Sequence, residues 1–553
     1  MRKRNLAALL LAVPLLAYVV YPLGSMLAES VTLGVSPYRA QQMGWDPQHQ
    51  PFAAGLRRVF AEKVQLDAIW GTLSISIATV LCAGAWGLAQ VLLWHRRDFP
   101  GRKIFGVFGY VPLILPPLVG TLAFFRLIGE GGWLWHALPI SGGRAWLNGF
   151  GQVLLMHTYA FGMFTYAYVS AALEDADSSR EEAARSLGAG RLKTFFAAVW
   201  PVISPALLAS ALLTFMAAAA SFSAPYFLDN SSRYLTVEIL NQGEDIGMQR
   251  SLSLVLALLS LSVLPAFLYF DQRERRGAEA AFGLKGTSRQ NLHIDSTSGK
   301  VIRILFSLIA GTILIAPPVV VLLGSIAKPD GGIDWPHFAD LATDMESLGR
   351  SSVYGVIAAI LNIAAATAIA LALRRAALWA SLPVEIAVML ALALPGSVIA
   401  VALLSAFNGP SPLTAGVPLG QTAAILILAY FIRDLPLAVR PARAALYALG
   451  SDMENASAGL GATRAMTLWR VTLPVMFPSL LAAGLICFIT GTGEYVASKL
   501  LAGVLTKPVS VRIDELFRVD SRSPYPLALA LMGLSIAAIV FAKLASRRDA
   551  IRG

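Results

Sequence analysis

The sequence predicts an all-α polytopic membrane protein with about twelve transmembrane helices, arranged as two homologous six-helix units in a parallel pseudo-dimer. Three observations support this fold class. Of the 553 residues, 56% are hydrophobic and 14% are charged, whereas about a quarter of the residues in an ordinary soluble domain are charged. The apolar residues lie in long runs, and the second half of the chain repeats motifs of the first. The composition excludes a soluble enzyme, because so little charge cannot cover the surfaces of soluble domains.

The apolar runs have the length of membrane-spanning helices. An α-helix needs about 20 apolar residues to cross roughly 30 Å of hydrocarbon, and a transmembrane β-barrel would show short alternating segments instead. The first run follows Met1-Arg-Lys-Arg and is longer than the apolar core of a signal peptide, so it is predicted to be a retained helix. The twelve predicted spans are residues 6–27, 68–94, 104–128, 147–173, 203–222, 252–270, 302–327, 353–373, 384–407, 421–439, 475–496 and 526–544.

The basic residues indicate how the spans are oriented. With the N-terminus inside, the inner segments hold 28 Lys and Arg residues and the outer segments hold 15. Because the inner loops of membrane proteins are enriched in Lys and Arg, both termini are predicted to be cytoplasmic. This topology explains the net charge of +11, so a nucleic-acid partner is not expected. The two cysteines lie within apolar runs and offer no disulfide framework.

An internal repeat divides the chain into two units. Residues 181–209 align with residues 454–482 at a constant offset of 273, and 13 of the 29 positions are identical. Apolar composition alone does not explain shared Gly, Arg, Thr and Pro residues at fixed spacing. Six spans return the chain to its starting side, so the two units have one orientation and are predicted to pack about an axis along the membrane normal. The first unit covers residues 1–272, a polar cytoplasmic linker covers 273–300, and the second unit covers 301–553.

The strongest part of the repeat is a loop between the fourth and fifth spans of each unit, at residues 179–205 and 451–478. In the first loop, two acidic residues at 181 and 182 favour the start of a short helix, because carboxylates complement the positive end of the helix dipole. Gly188 is predicted to end this helix, and Pro201 marks the return to the membrane. The sequence thus predicts a compact helix-turn-helix on the inner membrane face in both units.

These loops resemble a known signature. Glu182-Ala-Ala, followed by three residues, Gly188, and Pro201 thirteen positions later, is similar to the EAA motif of permease subunits of binding-protein-dependent ABC importers. The second loop has Gly461 and Pro474 at the same spacing. Two such units in one chain of this length resemble the fused permeases of ferric-iron and thiamine importers.

In that family the EAA loop is the coupling helix that inserts into a groove on the ATP-binding subunit, and the resemblance implies the same role here. The second loop departs from the pattern, because Asn455 takes the place of Glu182, with Glu454 one residue earlier. Asymmetric coupling by the two loops is therefore a hypothesis. The coupling residues that the resemblance implies are Glu181, Glu182, Ala183, Ala184, Gly188, Arg191, Pro201, Glu454, Asn455, Ala456, Gly461, Arg464 and Pro474.

The energy source is expected to lie on other chains. The sequence contains no Gly-x-x-x-x-Gly-Lys-Ser/Thr loop, which would hold ATP phosphates. No catalytic residue and no cofactor are predicted in this chain, and ATP and Mg are expected on partner subunits. The resemblance implies that this chain lies in the lipid bilayer of the bacterial inner membrane. Its expected protein partners are two copies of an ABC ATP-binding subunit and a periplasmic or extracellular solute-binding protein.

The substrate is predicted from the resemblance alone. The fused length favours ferric iron or thiamine, and ferric iron is the first choice. Polyamine or phosphonate-type solutes are further alternatives that the same mechanism would move. An ion-driven carrier of the major-facilitator type also has twelve helices, and Arg96-Arg-Asp-Phe-Pro-Gly-Arg-Lys is similar to part of its loop between spans two and three. That class does not explain the EAA-like loops, and the matching loop of the second unit has only Arg374-Arg-Ala-Ala.

Ionisable residues at membrane depth are the candidates for the translocation path, because such residues are costly in hydrocarbon and are usually functional. Arg433 and Asp434 are adjacent in the tenth span, Glu494 lies near the outer end of the eleventh, and Arg126 lies near the outer end of the third. Glu494 follows two glycines that would let backbone line a cavity. The six histidines show no ligand spacing, so no metal site is predicted.

Overall fold

Nearly all of the residues that the structure describes are helical, as the long apolar runs predict. The computed structural model describes residues 2–32, 53–95, 97–129, 132–134, 147–174, 179–283, 293–294, 297–326, 336–374, 376–449, 452–519 and 523–550. The first half contains helices α1 (Arg2–Leu15), α2 (Tyr21–Thr32), α3 (Ala54–Ala61), α4 (Lys63–Trp94), α5 (Arg102–Phe108), α6 (Pro117–Ile128), α7 (Gly149–Glu174), α8 (Ser179–Ser186), α9 (Arg191–Thr194), α10 (Trp200–Ala219), α11 (Ser223–Leu228), α12 (Leu235–Asn241) and α13 (Ile246–Gly283).

The second half repeats this order of helices. Helices α6 and α7 are 12 and 26 residues long, and their counterparts have the same lengths. The two homologous halves are thus confirmed. The helices are α14 (Thr297–Ile326), α15 (Pro336–Leu373), α16 (Leu378–Ala393), α17 (Gly396–Phe407), α18 (Ala423–Ala448), α19 (Asp452–Gly459), α20 (Arg464–Thr467), α21 (Leu473–Thr492), α22 (Val496–Leu501), α23 (Val509–Arg518) and α24 (Tyr525–Ala550).

Helices occupy all twelve predicted spans. Within the described residues, eight helices are long and apolar enough to cross a membrane, and α16 with α17 forms a ninth span that bends by 118° at its break. In the first half, α5 and α6 form the matching broken segment, in which α6 alone is a short apolar helix. Helices α7 and α18 occupy the two remaining predicted spans. The fold is therefore the predicted all-α membrane bundle, with two spans broken that the sequence presents as continuous.

The breaks have a local cause that both halves share. Pro116 and Pro395 precede α6 and α17 with extended backbones, at φ −52° and ψ 142° and at φ −53° and ψ 147°. Because proline has no backbone N–H and disfavours a helical residue before it, the helical backbone is interrupted at the Leu-Pro pair, and a new helix starts after it. A π-helical turn also recurs in both halves at the 273-residue offset, at Phe195–Val199 and Leu468–Thr472. The repeat is therefore preserved in irregular backbone as well as in helix order.

The first helix of each half packs against the other half. Met26 of α2 and Leu15 of α1 belong to a buried cluster formed mainly by α15 to α18. Conversely, Val321 of α14 belongs to the buried cluster of α6, α7 and α10. The indole of Trp94 donates a 2.9 Å hydrogen bond to the Ser307 hydroxyl of α14. This exchange of helices ties the halves together through apolar packing and polar contacts alike.

The predicted linker is described only in part. Helix α13 extends to Gly283, and residues 284–292, 295 and 296 lie outside the described residues. The two residues β2 (His293–Ile294) pair in parallel with β1 (Arg97–Asp98), which follows α4. This short pairing places the end of the linker beside the loop between α4 and α5.

Candidate coupling loops and translocation path

The first coupling loop is a short helix closed by a left-handed glycine. Helix α8 ends at a turn in which Gly188 has φ +78°. The Gly188 amide donates to the Arg185 carbonyl at 2.8 Å, and the Ala189 amide donates to the Ala184 carbonyl at 3.0 Å. This pair of bonds is the Schellman arrangement, which satisfies the last carbonyls of a helix and places glycine at the left-handed position. Gly188 therefore ends the helix, as the sequence predicts.

The second loop has the same backbone. Gly461 has φ +82°; its amide donates to the Ala458 carbonyl at 3.0 Å, and the Ala462 amide donates to the Ser457 carbonyl at 3.1 Å. Each of these residues stands 273 positions after its counterpart in the first loop. The Thr463 side chain also accepts a hydrogen bond from the Met466 amide and so caps α20. The two loops thus present the same helix-turn-helix shape, despite the different residues at their acidic positions.

Both loops expose a leucine at the tip of the turn. Leu187 and Leu460 are 88% and 90% exposed, among the highest values for large apolar side chains in the described part of the chain. They are equivalent at the 273-residue offset. Both were among the identical positions, but the sequence reasoning did not select them as coupling residues. Each is the most exposed large apolar side chain of its loop and can therefore be buried against a partner.

The second loop is tied to its own bundle by an ion pair. Arg374 follows α15 and pairs with Glu454 of α19 at 2.5 Å, and the Thr472 hydroxyl donates to the same carboxylate at 3.4 Å. Glu454 is consequently only 18% exposed. The neighbouring Asn455 is exposed, as is Glu182 at the equivalent position of the first loop. Glu454, the counterpart of Glu181, therefore contacts the bundle, whereas Glu182 and Asn455 are exposed.

The remaining predicted coupling residues occupy matching places in the two loops. Glu181 pairs with Arg185 within α8 at 3.7 Å. Ala184 is half-buried, and the side chain of Arg191 lies outside the described residues. The others are exposed: Ala183, Gly188 and Pro201 in the first loop, and Ala456, Gly461, Arg464 and Pro474 in the second.

Two of the four predicted path residues meet in the structure. Arg433 of α18 forms an ion pair with Glu494, which lies between α21 and α22. The Oε1 atom of Glu494 also accepts a 2.9 Å hydrogen bond from the Ala497 amide. Asp434 is buried on another side of α18, where its backbone carbonyl lies 3.6 Å from Sγ of Cys487. Arg126 instead places its guanidinium 5.4 Å from the ring of Trp133.

The breaks between long and short helices meet where the halves join. Phe222 precedes α11 and Tyr495 precedes α22, and these residues are equivalent at the 273-residue offset. Their ring centroids are 5.5 Å apart. A Cβ atom added to Gly493 would lie 2.8 Å from Cβ of Pro116, so the two backbones approach closely at this point. The contact between equivalent residues places the pseudo-two-fold axis between Phe222 and Tyr495, one residue from Glu494.

Residues 81–276 and 363–548 each match the family described as "Binding-protein-dependent transport system inner membrane component". The chain belongs to this family. The double match covers both halves, as expected for a fused permease of an ATP-driven ABC importer, a multi-pass membrane protein that works with ATP-binding subunits and a solute-binding protein.

Relatives of this permease agree on the transport role and differ in their named solutes. It is 28% identical over 500 residues to the probable ABC transporter permease protein y4fN of Sinorhizobium fredii, covering 86% of this chain and 87% of that protein. It is 26% identical to the ferric transport system permease protein FbpB of Actinobacillus pleuropneumoniae, covering 82% of this chain and 66% of that protein. The molybdenum transport system permease protein ModB of Escherichia coli is 29% identical, covering 38% of this chain and 96% of that protein.

Proposed function

We propose that this permease carries ferric iron across the bacterial inner membrane after a binding protein delivers it on the outer side. The observation that carries this proposal is the extent of similarity to proteins named as ferric permeases. Three such relatives match between 78% and 84% of this chain. The molybdenum permease of Escherichia coli matches 38% of this chain, although 96% of its own length is aligned, so it corresponds to less than half of this chain.

A carboxylate beside the axis also suits a cationic solute. Glu494 and Asp434 supply two carboxylates, and Arg433 supplies one guanidinium. In the first half the residue equivalent to Glu494 is Ser221, whose hydroxyl lies 2.9 Å from Nε2 of His157. Carboxylate oxygens suit hard cations.

ATP hydrolysis on two separate subunits would drive the transport, one subunit bound to each coupling loop. Two loops of one backbone shape, each with an exposed leucine, support two docking sites of the same kind. Because the loops belong to different halves, closure of the ATP-binding subunits would move the halves relative to each other. This is coupling through a two-state element, in which the ATP-bound subunits favour one arrangement of the bundle.

The proposed orientation follows the distribution of basic residues. Both termini, the linker at 273–300 and both coupling loops would face the cytoplasm, with residues 1–272 and 301–553 as the two permease units. The pairing of β1 with β2 supports a linker on the same side as the loop after α4. The binding protein would then dock on the opposite face of the membrane.

The test of this proposal is uptake by the complete importer in liposomes. The permease would be purified with its ATP-binding subunit and binding protein, and uptake of radiolabelled ferric iron would be compared with that of molybdate, thiamine, a polyamine and a phosphonate. ATP-dependent uptake of ferric iron alone would support the proposal. Uptake of another solute in the absence of ferric-iron uptake would refute it, and transport by the chain alone would indicate an ion-driven carrier.

A further inference from the structure

We infer that Glu494 is a cation-binding residue of the translocation path and that Arg433 is its resident counter-charge, which a multivalent cation displaces during passage. This inference rests on the proposed transport of ferric iron. Four features of the structure support it, namely the place of the ion pair, its exposure, its neighbours and its absence from the equivalent position of the first half.

The ion pair lies beside the contact between the two halves. Glu494 immediately precedes Tyr495, whose ring is 5.5 Å from that of Phe222 in the first half. Since these two aromatic residues are equivalent, a solute that moves between the halves along the pseudo-two-fold axis must pass them. The Glu494 carboxylate is one residue from this constriction, which is the position required of a residue that contacts a passing cation.

The exposure of the two partners is unequal. The Glu494 side chain is 3% exposed, whereas the Arg433 side chain is 38% exposed. The arginine therefore covers the carboxylate on its open side. A long arginine side chain can swing away through rotation of its own bonds, whereas Glu494 is held from behind by the Ala497 amide. Displacement of Arg433 would uncover a carboxylate that is already positioned.

The neighbouring backbone approaches the ion pair closely. Gly396, the first residue of α17, follows the break of that span. A Cβ atom at Gly396 would lie 3.3 Å from Oε1 of Glu494 and 3.7 Å from a terminal nitrogen of Arg433. Because glycine has no side chain, the backbone of Gly396 can come this close to the pair. Non-helical backbone at membrane depth is tolerated where it lines a cavity or is buried in protein.

The first half builds the same break without a charged pair. Phe222 has φ −114° and ψ −49°, and Tyr495 has φ −111° and ψ −43°. Ser221 stands in the place of Glu494 and contacts His157, whose other ring nitrogen lies 3.1 Å from the Thr79 hydroxyl. A neutral hydrogen-bonded group therefore suffices to hold this backbone. The charge in the second half is not required for the fold of the break, which leaves binding of a charged solute as its role.

A cation can replace the guanidinium because both neutralise the carboxylate. A buried carboxylate that loses its partner is strongly destabilised unless another positive charge takes the partner's place. A multivalent cation supplies that charge and binds carboxylate oxygen directly. A neutral or anionic solute could not displace Arg433, because it would leave the Glu494 carboxylate without a positive partner. The pair would therefore also select for positively charged solutes.

The experiment compares four variants of the complete importer in liposomes, with binding protein loaded with radiolabelled ferric iron. We expect Glu494→Gln and Glu494→Ser to lower the initial rate of uptake at least tenfold. The serine variant copies the residue that the first half uses at this position, so it keeps the test valid if the glutamine variant does not assemble. Arg433→Gln is expected to keep uptake, with a lower KM for the iron-loaded binding protein. The double variant Arg433→Gln, Glu494→Gln should show the same low rate of uptake as Glu494→Gln alone.

A purely structural ion pair predicts a different order. In that case Glu494→Gln and Arg433→Gln would reduce uptake and thermal stability equally, and the double variant would recover both; this result would overturn the inference. The matched control is a buried ion pair away from Glu494, formed by Arg58 and Asp245 at 2.9 Å with side chains 7% and 3% exposed. It shows how uptake and thermal stability respond when a purely structural pair is broken. Failure of the unaltered importer to take up ferric iron would instead refute the proposed function itself.

Discussion

Replacement of the exposed leucines at the tips of the two coupling loops tests whether these loops dock on a partner. Leu187 and Leu460 are 88% and 90% exposed, so nearly the whole of each side chain is available for burial. Leucine to alanine removes three carbons at about 0.8 kcal/mol for each buried CH₂, or roughly 2 kcal/mol per loop. Since about 1.4 kcal/mol corresponds to a tenfold change in affinity, each substitution should weaken binding of the ATP-binding subunit roughly 30-fold.

The assay is a titration of the permease in lipid nanodiscs with labelled ATP-binding subunit. Leu187→Ala and Leu460→Ala should each raise the Kd of their own docking site about 30-fold, and the double variant should raise it by that factor at both sites. Leu10→Ala is the matched control, since Leu10 is 63% exposed on the N-terminal helix. A change below threefold in both single variants, or an equal change in the control, would refute docking through these leucines.

Three further substitutions probe the loops and the contact between halves. Gly188→Ala places a side chain at φ +78° where its Cβ meets nothing, so only backbone strain of about 1 kcal/mol acts, and the Kd for the ATP-binding subunit should rise roughly fivefold. Arg374→Ala removes the ion pair with Glu454, so loaded binding protein should stimulate ATP hydrolysis severalfold less, with rescue by Arg374→Lys. Gly493→Ala places a Cβ 2.8 Å from Cβ of Pro116. This overpacking should lower the free energy of unfolding by about 1 to 3 kcal/mol and so lower the temperature of thermal unfolding. For each of the three substitutions, an unchanged measurement would contradict the explanation.

The repeat made much of the fold and both loops predictable from the sequence. Glycines and prolines at a fixed offset specify turns and helix starts through local backbone chemistry, so Gly188 and Gly461 end their helices as expected. The Leu-Pro pairs at 115–116 and 394–395 also repeat, but the apolar runs around them do not indicate that the helix is interrupted at each pair. Hydrophobicity measures burial or contact with lipid and is insensitive to the direction of a helix.

The contacts between distant segments could not be read from the sequence. Arg433 and Glu494 are each recognisable as charges at membrane depth, but 61 positions separate them and only the packing of α18 against α21 brings them together. The same limit applies to the first helices, because an apolar face that meets lipid looks like one that meets the other half. Leu187 and Leu460 were missed because a single leucine in a polar loop is common; their repetition was the available signal.

ATP-dependent uptake of ferric iron by the reconstituted importer is the most direct test of the central claim. The complete assembly of this permease, its ATP-binding subunit and its iron-loaded binding protein should accumulate iron in liposomes only when ATP is supplied to the side of the coupling loops. Joint replacement of Leu187 and Leu460 by alanine should abolish that uptake. Accumulation of iron without the ATP-binding subunit, or undiminished uptake by the double variant, would contradict the account.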